Sequence, residues 1–141
     1  SAASDVYKRQ GTVRTLSKEA QSLIVKRLKE LCKGYSRGFG GKIKLDYNYG
    51  YPPTVNHQRE TKFAAEVAEE IVGIQNVEIG AKPIMASEDF SYMIEKRPGC
   101  YFHVGQGVGA AVHNPKYDFN DELSPIGASF FVKLVENANP F

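Results

Sequence analysis

One histidine, His113, stands in the segment Ala111-Val112-His113-Asn114-Pro115-Lys116-Tyr117-Asp118-Phe119-Asn120-Asp121-Glu122. The segment lies in a stretch from about Gly105 to Leu123 that shows neither helical nor strand periodicity. A loop that long inside a compact domain is usually functional. Imidazole is the commonest side-chain metal ligand and the usual proton carrier near neutral pH, so metal binding or proton transfer is the chemistry to expect. A loop histidine bonded to backbone is the competing reading. Asp118, Asp121 and Glu122 read either as metal ligands or as solvated acids that complement the following helix N-terminus.

Other residues are candidates on weaker grounds. Ser87-Glu88-Asp89 reads as ordinary helix-start chemistry, or as a polar turn facing a cleft of an α/β sheet. Arg14 reads as a solvent-facing arginine, or as a carboxylate anchor, because a guanidinium grips a carboxylate as a two-pronged fork. His57 and His103 read as structural. Cys32 and Cys100 form no paired-ligand motif and read as buried thiols in a reducing compartment. There is no phosphate-binding glycine loop, no Gly-x-Ser-x-Gly elbow and no His-Glu-x-x-His helix.

These residues must be positioned by the elements around them. Gly11 to Thr15 is β-branched and predicts a strand. Ser17 then caps a helix with Glu19 in its first turn and apolar residues at Ala20, Leu23, Ile24, Leu28, Leu31 and Cys32; Gly34 is placed as its left-handed C-cap. Ile43, Leu45, Tyr47 and Tyr49 alternate with polar residues and predict a half-exposed strand. Gly50-Tyr51-Pro52-Pro53 reads as a domain boundary. A helix is predicted from about His57 to Val72, ended by Gly73, with Phe63, Ala64, Val67, Ala68, Ile71 and Val72 on one face. A strand over Lys82 to Met85, a short helix capped by Ser87 and a buried strand over Cys100 to Val104 follow. Ser124-Pro125 then starts a helix that buries Ile126, Phe130, Phe131, Leu134 and Val135. Alternating helix and strand places the chain in the α/β class.

With 141 residues the chain holds one ordinary domain or parts of two. The net charge of +2 is small and its basic residues are dispersed, which argues against nucleic acid as partner. No apolar run approaches the roughly 20 residues that cross a bilayer, and no secretory signal pattern is visible. A soluble, cytoplasmic protein is expected.

Four segments, taken in order and spacing, resemble one family: Gly11-Thr12-Val13-Arg14-Thr15, Tyr51-Pro52-Pro53-Thr54-Val55-Asn56, Met85-Ala86-Ser87-Glu88-Asp89-Phe90, and His113 through Glu122. They look like the C-terminal part of the metal-dependent amidohydrolases that include aminoacylase, hippurate hydrolase and carboxypeptidase G. The likeness covers about residues 11 to 138. Ala86 replaces the glycine usual in this branch, and Asn114 a common histidine or serine.

The resemblance implies an α/β catalytic domain interrupted by a β-α-β-β-α-β lid, or dimerisation, domain. Residues 11–52 would be the second half of the lid and 53–141 the C-terminal part of the catalytic domain, with 1–10 an unmatched leader or junction. It also implies two divalent metals, zinc first, manganese or cobalt as alternatives, holding a water whose proton a glutamate removes. His113 matches one metal ligand, Arg14 the lid arginine that holds a substrate carboxylate, and Ser87, Glu88 and Asp89 the turn lining the pocket. No catalytic residue is assigned here, because the general base and remaining ligands are expected upstream. The expected substrate is an N-acyl amino acid and the expected assembly a homodimer through the lid. Alone, the chain is expected to be inactive, since a catalytic metal needs about three protein ligands. The alternative is a non-catalytic dimerisation or interaction module.

Overall fold

A computed structural model describes residues 7–139. Four α-helices follow in order: α1 (Lys18–Phe39), α2 (Gln58–Val72), α3 (Phe90–Ile94) and α4 (Leu123–Ala138), with a 3₁₀ turn at Ile74–Asn76 after α2. The described chain divides into two compact units, one holding residues up to Pro53 with Pro83–Glu88, the other Thr54–Lys82 with Asp89 onward.

Helix α1 starts where its cap chemistry dictates. Ser17 is extended, and its hydroxyl oxygen accepts from the Ala20 N–H at 3.1 Å. That satisfies one of the four N–H groups a helix start leaves without partners. The carboxyl of Glu19 is held below the usual glutamate range, first by a hydrogen bond from its own backbone N–H and then by one from Ser17. The helix does not stop at Gly34. It runs on to Phe39 and ends at Gly40, whose φ of 66° is the left-handed conformation glycine adopts without strain. Its buried side is Val25, flanked by half-buried Ile24, Leu28 and Cys32, whereas Ala20, Leu23 and Leu31 are exposed.

The second unit is organised by α2 against α4. Val67 is fully buried and packs with Ala64 and Phe130; Phe63, Ala68, Ile71, Cys100 and Leu134 close around them. The Phe102 ring lies 4.6 Å from Phe130, centroid to centroid. Burial of a side chain the size of Phe130 contributes about 1.5–3 kcal/mol. At the rim, Glu70 accepts from Asn137 Nδ2 at 2.9 Å and pairs with Lys133 at 3.3 Å. These groups are well exposed, so the ion pair adds at most about 1 kcal/mol. Helix α4 buries less than predicted: Phe130 and Leu134 face inward, but Ile126, Phe131 and Val135 are exposed, because α2 covers one side only. It begins at Leu123, so Pro125 occupies the third helical position, still within the turn that has no intrahelical acceptors for its N–H groups.

Among the described residues none of the four predicted strands forms. Alternation specifies a face, but a strand also needs a neighbouring backbone to bond with. The backbone groups here bond elsewhere: the Ile43 N–H donates to Ser36 Oγ at 3.0 Å, and the Tyr101 N–H to Asn56 Oδ1 at 2.8 Å. The pleat survives locally. Tyr47 and Tyr49 lie 4.9 Å apart, and Tyr101 and His103 lie 5.3 Å apart, as residues two positions apart on one face do. Cys32 and Cys100 are free thiols, half-buried rather than buried.

Candidate functional site

Two of the motif segments meet inside the first unit. Arg14 Nη1 donates to Ser87 Oγ at 2.9 Å, joining residues 73 apart in sequence. Both side chains are exposed. The hydroxyl of Ser87 accepts from Arg14, and the helix cap expected of Ser87 does not form. Asp89 sits at the start of α3 instead, with helical φ and ψ of −72° and −21° and no side-chain cap bond. Glu88 is half-buried and Asp89 exposed.

The His113 loop is built from nested turns. The Asn114 N–H donates to the Ala111 carbonyl at 3.1 Å, closing a turn with His113 at its third position. There His113 has a φ of 69°, the sole positive φ of a non-glycine among the described residues. Histidine tolerates this region better than most residues, yet it is strained. Asn114 then turns the chain again, its Oδ1 accepting from the Lys116 N–H at 2.9 Å. Tyr117 Oη donates to Gln106 Oε1 at 3.2 Å, tying the loop to its own beginning. Asn120 repeats the device before α4, accepting from the Glu122 N–H at 3.1 Å. His113, Asp118, Asp121 and Glu122 are all exposed.

Among the described residues no three or more His, Cys, Asp or Glu side chains stand close enough to hold a metal ion. His113 is not accompanied by Asp118, Asp121 or Glu122 in such a group, so the described residues do not by themselves fit a metal.

Sequence reading missed the role of Asn56. Its Nδ2 donates to the Tyr101 carbonyl at 2.7 Å, completing a two-way clasp on that residue's backbone. The next residue continues it: the His57 N–H donates to the Gly99 carbonyl at 3.0 Å, and the Gly99 N–H to His57 Nδ1 at 3.2 Å. His57 Nδ1 also lies 3.3 Å from the Gly99 carbonyl oxygen, so the ring is held against that residue in either tautomer. His57 is thus structural, as expected, and fixes the approach to α2. Gly99 is required by contact, because a Cβ there would lie 2.8 Å from Ile94 Cγ2. His103 is exposed and lies edge-on to Tyr101. The only sequence sign of the clasp was an asparagine beside a proline-rich boundary.

A known family model matches residues 6–137. The chain belongs to peptidase family M20/M25/M40. The resemblance carried by the four motifs is thereby borne out, and M20/M25/M40 membership fits an α/β class although the described residues form no strands. The family is generally metal-dependent. Among its curated proteins, the hippurate hydrolase of Campylobacter jejuni is 35% identical over 123 residues, covering 87% of this chain and 32% of that protein. The N-acetyldiaminopimelate deacetylase of Streptococcus suis is 33% identical over 132 residues, with 90% and 34% covered. That of Bacillus velezensis is 34% identical over 126 residues, with 87% and 32% covered. The chain spans about a third of the length of these M20/M25/M40 relatives. No solved structure gives a significant match. Among the described residues no helix is long and apolar enough to cross a membrane.

Proposed function

We propose that this chain is the C-terminal part of an amidohydrolase that cleaves the amide bond of N-acyl amino acids, with Arg14 holding the substrate's free carboxylate. The observation that carries this reading is the Arg14–Ser87 hydrogen bond, which brings two of the motif segments together around a guanidinium. The family background supports it, because hippurate and N-acetyldiaminopimelate, the compounds named by the relatives, are both acylated amino acids with a carboxylate near the scissile amide.

In this reading residues 11–52 belong to a lid and 53–141 to a catalytic domain. His113 is the one metal ligand the chain contributes; zinc suits it best, with manganese or cobalt as alternatives. Amide hydrolysis also needs an activated water and a proton for the departing amine, and the groups that supply them lie outside these residues. The enzyme is cytoplasmic and a homodimer through its lid. An exposed groove on α1, lined by Leu31, Tyr35 and Phe39 together with Arg27, Glu30 and Gly34, supports an interface on that side.

The test is amine release from hippurate and N-acetyl amino acids by the complete reading frame and by the 141-residue chain. Hydrolysis by the former and none by the latter is expected. An inactive complete protein defeats the assignment, and an active 141-residue chain defeats the fragment claim.

A further inference from the structure

Resting on the reading of Arg14 as carboxylate anchor, we infer that Ser87 is a positioning residue that sets which edge of the Arg14 guanidinium meets the substrate. Ser87 was grouped above with the residues that touch substrate; its geometry assigns it a different task. Its Oγ accepts from Nη1 of Arg14 at 2.9 Å. An arginine carries five N–H donors in a planar fork and binds a carboxylate through two parallel ones. With one Nη1 proton engaged by Ser87, the edge formed by Nε and Nη2 keeps both of its donors clear of that bond, and it is the edge this inference assigns to the carboxylate. Rotation of the plane is restrained before any ligand arrives. Both residues are exposed, so the hydroxyl competes with water and the restraint depends on its placement opposite Arg14. An unrestrained arginine would have to be ordered on binding, which weakens affinity for the carboxylate and leaves affinity for an uncharged analogue unchanged.

The test uses the protein from the complete reading frame, stripped of metal so that hippurate is bound and not cleaved, with hippurate and its carboxamide as probes and Arg14 read by nitrogen-15 NMR of its guanidinium. In the native chain Nη1 should rotate slowly and hippurate should shift the Nε and Nη2 signals. Ser87→Ala should average the Nη signals and weaken hippurate binding about three- to tenfold. Ser87→Thr, which keeps the hydroxyl, should restore both. The carboxamide should respond to none of these changes. Hippurate binding lost in Arg14→Ala but intact in Ser87→Ala overturns the role of Ser87 and leaves the anchor standing. A threonine variant no better than alanine overturns it as well, because the hydroxyl would not be the cause. Hippurate that ignores Arg14→Ala, or never shifts Arg14 at all, overturns the anchor reading and this inference with it.

Discussion

His113 is held at a backbone angle that favours glycine, and the loop gains nothing visible from having imidazole there. Strain of this kind costs about 1–3 kcal/mol and persists where the residue type is needed for something other than folding. Replacement by glycine should therefore leave the thermal unfolding temperature of the chain unchanged or raise it. Replacement by valine, whose branched side chain resists a positive φ, should destabilise by about 1–3 kcal/mol. If glycine destabilises as much as valine, the imidazole has a structural partner and the metal-ligand reading loses its support. This residue was legible only in part. Its identity and its long loop stood out in the sequence, but the turn that strains it depends on the Ala111 to Asn114 hydrogen bond, and no residue type there announces a left-handed histidine. Arg14 and Ser87 were each singled out by local chemistry and by motif resemblance, but their contact was not, since a bond between residues 73 apart leaves no local trace.

At the scale of elements, local chemistry was readable and nonlocal pairing was not. Ser17 and Gly73 bound their helices as expected, because a cap acts within a few residues of itself. Gly34 misled, because an exposed glycine within a helix and one just past its end look alike to neighbouring residues. The two cases respond oppositely to alanine. A Cβ at Gly34 meets nothing within 4 Å and φ is not positive, so Gly34→Ala should stabilise α1 by about 0.5–1 kcal/mol. A loss of stability in urea titration would mean that the helix does end there. Helix α1 should also respond to acid. The carboxyl of Glu19 is lowered by its bonds to its own N–H and to Ser17, so its contribution is present above the ordinary glutamate pKa and lost as pH falls through the lowered value. Circular dichroism of Glu19→Gln should lack that acid-dependent component, and an identical acid profile would remove the cap from consideration. The predicted strands failed for the opposite reason to the caps: Ile43 to Tyr49 carries a clear two-sided pattern, but no backbone among the described residues pairs with it as a strand.

For the whole molecule the exposed apolar side chains matter most: Leu31, Tyr35 and Phe39 on α1, and Phe131, Val132 and Val135 on α4. Apolar faces of this kind take up a hydrophobic dye, so the 141-residue chain should enhance its fluorescence in native buffer. No enhancement would show that these faces are covered in solution. The stretches that were expected as strands matter in time as well as in energy. Lys42 and Lys44 punctuate the first strand-like stretch with charge, a common guard against stacking between molecules. Cys100-Tyr101-Phe102-His103-Val104 carries no lysine and is held instead by the clasp of Asn56 on Tyr101 and by packing of Cys100 and Phe102 against the core. Its composition is that of segments that seed cross-β fibrils. In a concentrated solution held at rest, the lifetime of this chain would be set by how often Asn56 and the core let that segment go together.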